Sequence, residues 1–483
     1  MREEILRMEN VTKVYDGVTY LDNVNLQIYK GEVMGLIPIN RQGKDEFVEL
    51  LCQNSSIEYG RIYMSNELVN DYRHSKSSRN RVYVIDHKSK LIQDLTVSDN
   101  IFVLRRGFKK YVINNKVLRG QVIQFLKDME VSIDPDELVA NLNPFEQCIV
   151  ELLKAVIAGS GLIIISDISN VLSVVDLSKL YHLIHYYSTK GYSFLFIGSH
   201  HEEVFSICDR VALMKDGTIV KVLDEKEKRN DLIKLFTISF QDTKPKAESY
   251  TGQGILEFEG VTTEHLRKMT FSIKKRECVV LFDTNNTIYM DLLELMNGEL
   301  HPLQGKILYN DHEYSNRISK KALENGIAVI VEDATKKMIF YNLSYVDNLY
   351  LLIDKKMNKN ILNRKIKKSI MSEYEGIVGE EIRTKDLSRL ELTSLYNLVY
   401  YRIHLYNPSI VFCVQPFSGA DMYLRKHIAD LIRELKRKGI TVVILAVNIS
   451  DTLTVADRLL VIEQGSVVKE YTKEEFGAIR AMI

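Results

Sequence analysis

The sequence predicts an α/β protein made of two tandem copies of one domain. Three observations predict it: a long internal repeat, short apolar runs alternating with helical stretches, and a polar segment between the halves. The repeat comes first. Gly31-Glu32-Val33 and Gly60-Arg61-Ile62-Tyr63 return as Glu277-Cys278-Val279 and Gly305-Lys306-Ile307-Leu308, with Glu32 to Glu277 and Gly60 to Gly305 both 245 positions apart. Leu95-Thr96-Val97-Ser98-Asp99-Asn100 returns as Leu343-Ser344-Tyr345-Val346-Asp347-Asn348, 248 positions on. Cys208-Asp209-Arg210-Val211 returns as Ala456-Asp457-Arg458-Leu459 at the same 248 spacing. A period near 250 describes a duplicated domain rather than a solenoid unit. Residues 162–165, 193–197, 410–414 and 441–445 are unbroken apolar runs, the pattern of central strands buried on both faces. Segments 5–14 and 24–29 look instead like an antiparallel edge with a turn at Asp16-Gly17. Between the copies, 241–254 carries Lys244, Pro245, Gly252 and Gly254 in a polar context and reads as a linker. The expected division is therefore 1–240, a linker over 241–254, and 255–483.

Composition narrows the function classes. The 483 residues are 46% hydrophobic and 27% charged, the mix of a well-packed chain. Lys plus Arg equals Asp plus Glu at 64 each, so no whole-chain charge argues for a nucleic-acid partner. Cys52, Cys148, Cys208, Cys278 and Cys413 are scattered without metal-ligand spacing and read as reduced thiols of a cytosolic protein. Apolar runs fall short of the roughly 18–20 residues that span a bilayer, and segment 1–8 lacks the apolar core of a signal peptide. Membrane contact is expected through a partner.

Chemistry-bearing residues begin after the expected strand 33–37. Pro38-Ile39-Asn40-Arg41-Gln42-Gly43-Lys44-Asp45-Glu46 leads into an apolar helical stretch at 47–51. Strand, Gly-Lys, helix is the setting of a phosphate-binding loop, where backbone N–H groups wrap the phosphate and the lysine reaches its terminal oxygens. Taken alone, a Gly-Lys pair at such a turn is more often an ordinary loop.

The ordered set of further segments resolves the ambiguity. Lys13-Val14-Tyr15-Asp16-Gly17-Val18, Leu91-Ile92, Asn100-Ile101-Phe102, residues 147–155, Ser199-His200, Glu203-Val204-Phe205 and Asp209-Arg210 resemble the ATP-binding subunit of bacterial sugar ABC importers. The similar type is the fused two-cassette subunit of ribose, galactose or xylose transporters. In the second copy residues 327–333, Gln415-Pro416, Gly419 and Asp421 fit the same family, and the resemblance runs from Leu6 to about Tyr471. It implies two tandem P-loop ABC-type nucleotide-binding domains, each with a mainly parallel core sheet, an antiparallel β subdomain and a helical subdomain.

By the same resemblance Tyr15 takes the adenine-stacking position, Gly43 and Lys44 the phosphate loop, and His200 the switch that senses the γ-phosphate. The departures are large. Asp45 replaces the Ser/Thr that would hold magnesium and stands as the candidate metal ligand. Arg41, Gln42 and Pro38 replace small loop residues, and His87 stands where a glutamine would face metal and water. Ser166 replaces the metal-holding aspartate, and Asp167 the catalytic glutamate, one methylene shorter. An acid displaced by ~1 Å can cost on the order of 100-fold in phosphoryl transfer. Asp167 is open to a second reading, a strand-end acid that only caps the next turn. The signature turn that would clamp the opposite cassette's nucleotide reads Leu142-Asn143-Pro144-Phe145-Glu146-Gln147, with Phe145 at the close-approach glycine.

The second copy is emptier. Phe282-Asp283-Thr284-Asn285-Asn286-Thr287-Ile288-Tyr289-Met290 has no glycine, and Tyr289 stands at the lysine. Val414 and Gln415 occupy the two acidic positions, Asn448 the switch position, and Leu390-Glu391-Leu392-Thr393-Ser394 the signature. The expected ligand is ATP with Mg2+, held weakly and in the first cassette only, with Asp167, His200 and His87 as the candidate catalytic groups. Arg105-Arg106-Gly107-Phe108-Lys109-Lys110 and Lys355, Lys356, Lys359 read either as solvated faces or as permease contacts. The expected partners are membrane permease subunits, with a second ATPase or a regulatory protein as further candidates, and no direct contact with sugar or nucleic acid. The subunit would sit at the inner face of the cell membrane. The competing expectation is a non-enzymatic scaffold or nucleotide-sensing regulator on the same twin fold.

Overall fold

A computed structural model describes residues 2–73, 78, 80–86, 88–102, 115–129, 131–198, 201–224, 252–314, 321–353, 364–447, 449 and 451–476. Most of the expected linker and both basic patches, at 105–110 and 355–359, lie outside the described residues. The chain divides into two compact units, Met1–Phe240 and Gln241–Ile483.

In the first unit a long hairpin, β1 (Glu4–Tyr15) and β2 (Val18–Tyr29), turns at Asp16-Gly17. Strand β3 (Val33–Pro38) enters the core and delivers helix Lys44–Cys52. Then β4 (Tyr59–Met64) and β5 (Glu67–Asp71) complete an antiparallel sheet of order β2-β1-β4-β5. The remaining strands are β6 (Val82–Asp86), β7 (Leu162–Ser166), β8 (Ser193–Ile197), β9 (Arg210–Lys215) and β10 (Thr218–Leu223). With β3 they form a six-stranded sheet of order β10-β9-β3-β8-β7-β6, parallel except for β10.

The second unit repeats the plan. Its strands are β11 (Gly254–Thr262), β12 (Met269–Lys274), β13 (Cys278–Asp283), β14 (Gln304–Tyr309), β15 (His312–Glu313) and β16 (Ile327–Ile330). They continue with β17 (Ile410–Val414), β18 (Thr441–Ala446), β19 (Arg458–Glu463) and β20 (Ser466–Thr472). The sheets run β12-β11-β14-β15 and β16-β17-β18-β13-β19-β20, the same two orders. The chain is thus two tandem α/β domains of one topology.

Burial explains why the core strands lack polar alternation. Leu162 and Ile164 of β7 pack toward the antiparallel sheet with Leu6, Met8 and Leu36. Ile163 and Ile165 of the same strand pack toward helices Pro144–Ile157 and Val174–Thr189. Each cassette therefore has two apolar layers with one sheet between them, and a polar side chain on either face of β7 would be buried without a partner.

Polar anchors recur too. Glu32 accepts from Arg210 Nε at 2.6 Å, and Glu277 accepts from Arg458 Nε at 2.7 Å. Asp209 accepts the Val33 N–H and Asp457 the Cys278 N–H, both at 2.9 Å. Asn100 exchanges hydrogen bonds with the backbone of Ile92, and Asn348 does so with Phe340, each tying down the loop before its short helix. Gly60 and Gly305 lie at φ 97° and 83°, where a Cβ would come within 2.5 Å of the neighbouring strand's carbonyls. These positions are retained because the fold needs them.

One difference in plan stands out. Met8 pairs with Leu26 in the first hairpin, while Phe258 pairs with Phe271 in the second. The second hairpin is therefore five residues shorter, since 26 − 8 exceeds 271 − 258 by that amount.

Candidate nucleotide site

Strand β3 ends at Pro38, and the loop after it is held at both sides. Ile39 N–H donates to Met214 O at 2.8 Å, and Asn40 bonds Asp216 at 2.6 Å. Gln42 Nε2 reaches back 3.1 Å to Thr19 O, tying the loop to the hairpin that carries Tyr15. Gly43 lies at φ 80°, and a Cβ there would stand 2.4 Å from Tyr20 O and 2.8 Å from Gly217 Cα. Its glycine is thus required by packing, independently of any ligand. Helix Lys44–Cys52 starts directly after it, with Asp45 and Glu46 in the first turn.

Three of the expected residues converge. Lys44 Nζ forms an ion pair with Asp167, both side chains about five-sixths buried, at 16% and 15% exposure. Ser166 Oγ donates to the same Asp167 oxygen at 3.3 Å. Asp167 opens a short 3-10 turn, Ile168–Asn170, yet its side chain makes no capping hydrogen bond to it. The carboxylate points to the lysine instead of capping. Its left-handed backbone, φ 53°, recurs at the equivalent Gln415, φ 42°, and both N–H groups bond the neighbouring strand, to Ile197 O and Leu445 O. That geometry is a property of the strand-to-helix crossing and needs no acid.

The other candidates are placed differently. Tyr15 stands at the hairpin end, 64% exposed, as an aromatic face awaiting a partner would be. Asp45 is exposed to solvent. Among the described residues no group of three His, Cys, Asp or Glu side chains could hold a metal ion. His87, His200 and Asn448 lie outside the described residues. Glu151, nearly fully buried on helix Pro144–Ile157, accepts from Ser89 Oγ at 2.9 Å and Lys90 N–H at 2.6 Å, and so fixes the segment that follows His87. Burial pushes its carboxyl pKa up against the lowering by those bonds.

At the signature position Asn143 caps the helix. Its side chain accepts the Glu146 N–H, and Glu146 accepts the Asn143 N–H, both at 2.9 Å. This reciprocal box consumes donors that a phosphate clamp would offer. Phe145 turns into the core, with Lys179 Nζ 5.3 Å from its ring centroid.

The second loop is filled by its own side chains. Asp283, fully buried, accepts N–H bonds from Asn285 at 3.0 Å, Thr287 at 2.5 Å and Ile288 at 3.0 Å. Tyr289, in the lysine's place, accepts the Asp283 N–H at 3.3 Å and donates to Ala446 O. Ile288, at Gly43's position, is right-handed at φ −91°. Asp283 was not singled out by the sequence reading. The available signal was Asp-Thr-Asn-Asn at a strand end, a run whose first side chain readily bonds backbone two residues on.

A family model described as ABC transporter matches residues 21–168. Over its whole length the chain is 25% identical to a ribose import ATP-binding protein of Caldanaerobacter subterraneus, covering 99% of that protein. It is 26% identical to a galactose/methyl galactoside import ATP-binding protein of Clostridium perfringens, over 99% of this chain and 95% of the relative. Among solved structures, one titled RNase-L Inhibitor matches 98% of the chain at 13% identity with a TM-score of 0.62, a likeness of fold alone. The chain is a distant relative of these sugar-import ATP-binding proteins, with the cassette duplicated.

Proposed function

We propose that this chain is the ATP-binding-cassette subunit of a sugar-type import system in which ATP hydrolysis is lost or very slow. The first cassette binds nucleotide weakly through Tyr15, Gly43 and Lys44, and the second binds none. Support for the import system comes from full-length similarity to proteins that carry that description. No described helix is long and apolar enough to cross a membrane. The subunit reaches the membrane's inner face through permease subunits and does not itself touch sugar.

The observation that carries the loss of hydrolysis is the Lys44–Asp167 pair beside Ser166. Phosphoryl transfer depends on positioned charge and a metal bridge. The residues around Lys44 do not fit a resident magnesium ion, since the acid that would hold it is a serine and Asp45 faces solvent. Two such losses at about 3 kcal/mol each would slow turnover more than 10⁴-fold if additive. Phosphate release with Mg2+ or Mn2+, for wild type and Lys44→Ala, tests this. Equal background rates are expected. A wild-type rate near about one per second that vanishes in Lys44→Ala would make the chain a working ATPase.

A second reading, a scaffold or regulator working through protein contacts, is favoured by the self-filled loop of the second cassette, which keeps the fold without ligand chemistry. Co-purification separates the two: permease subunits support the first, other proteins alone the second.

A further inference from the structure

We propose that Asp167 gates the first cassette's nucleotide site by occupying Lys44 in place of a ligand phosphate. This rests on the reading that the first cassette binds nucleotide. A lysine in a phosphate loop contributes one positive charge, and here that charge is paired with Asp167. Ser166 supports the same carboxylate oxygen, so the acid is held on the lysine side. Because Asp167 makes no bond to the turn it opens, nothing else in that turn claims its side chain. The Lys44–Asp167 pair is also reversible in a way the second loop is not. It is a single side-chain contact with some solvent access, whereas Asp283 is fully buried on three backbone donors.

Nucleotide binding is then an exchange. A phosphate oxygen displaces the carboxylate from Lys44 Nζ, and the freed carboxylate faces an anion unless a cation neutralises it. Asp45 and Glu46 in the first turn add to that repulsion. The gate makes metal-free nucleotide the poorest ligand, and removing the acid charge relieves both the competition and the repulsion. Asparagine tolerates the left-handed backbone at this position, so Asp167→Asn preserves the local path.

The test is a titration of the full chain with fluorescent ADP in EDTA, for wild type, Asp167→Asn and Asp167→Gly. ADP is chosen so that no hydrolysis step enters the readout. Circular dichroism checks the fold of each variant, and the glycine variant, which also accepts the left-handed backbone, stands in should asparagine fail to fold. Both variants are expected to bind about tenfold tighter than wild type, the scale of one charge-assisted bond. Unchanged or weaker binding by the variants, with wild-type binding detectable, overturns the gate and leaves the nucleotide reading intact. No binding by any form overturns both.

Discussion

The two loops that follow β3 and β13 occupy the same place in the same fold and are built differently. In the first, backbone shape persists: Gly43 keeps its left-handed turn and Lys44 its position, and only the surrounding charges have changed. In the second, the lysine, the glycine and the loop path are all gone, and an internal carboxylate has taken up the backbone donors. Losing a ligand leaves a folded protein with unmet N–H groups, and a buried donor without a partner costs about 1–3 kcal/mol. The second cassette has met that cost from within its own sequence. In the first, the pairing is between side chains: the mostly buried carboxylate of Asp167 answers the charge of Lys44.

The comparison can be broken or sharpened by substitution. The largest effect is expected at the shared anchor. Glu277→Ala should lower the stability of the second cassette by about 3–5 kcal/mol, since it leaves a buried guanidinium with only the half-exposed Glu470 as a charge partner. Glu32→Ala should cost less, because Arg210 is more exposed than Arg458. Urea denaturation of each variant reads both, and equal losses would mean that burial does not set the difference. Next, Asp283→Ala should cost about 2–4 kcal/mol by orphaning three backbone donors, while Pro38→Ala at the matching position should stay within about 1 kcal/mol.

Tyr289→Phe should cost about 1–2 kcal/mol, because its hydroxyl serves both Asp283 N–H and Ala446 O. Lys44→Met should cost about 1–2 kcal/mol, since it leaves the mostly buried Asp167 carboxylate with Ser166 alone, and should also abolish nucleotide binding. The same stability loss with nucleotide binding retained would make Lys44 purely structural. The smallest effect concerns pH. His265 is raised from 6.5 chiefly by its hydrogen bond to Asp291. Burial pushes Asp291 up, but bonds from Thr263 and His265 outweigh it and hold it below 3.8. The histidine's share is full below 6.5 and fades as pH rises through its raised folded value. The aspartate's share is present above 3.8 and is lost in acid. The pair should therefore stabilise most between those two values, by less than about 0.5 kcal/mol given the exposure of His265. Melting temperatures of His265→Ala and wild type at pH 5.5 and 8 should converge at the higher pH.

The fold was legible because its signals are periodic and repeated. Runs such as 162–165 and 441–445, short and rich in β-branched residues, fit strands with two dry faces, and the recurring Asp-Arg of 209–210 and 457–458 marks a buried anchor. The first site was legible in its glycine and lysine, whose chemistry depends on residue type. Its ion pair was not, because Asp167 lies 123 positions from Lys44 and only the sheet brings them together. Asp283 escaped notice for another reason: it answers no ligand requirement and replaces one. The shortened hairpin had a trace in the sequence, since Ile5-Leu6 and Ile255-Leu256 stand 250 apart while the strands that follow stand 245 apart.

That difference in hairpin length separates what substitution could restore in the two cassettes. The first cassette differs from a phosphate-binding site by exchanged side chains, such as Asp45 and Ser166, each within reach of a codon change. In the second, the hairpin end that bears Tyr15 in the first has no counterpart of equal length. Point mutation can restore a charge, but it cannot lengthen a chain. On the reading proposed above, the first cassette's departures are a setting that substitution could reverse. The second's are not, because length as well as chemistry differs there.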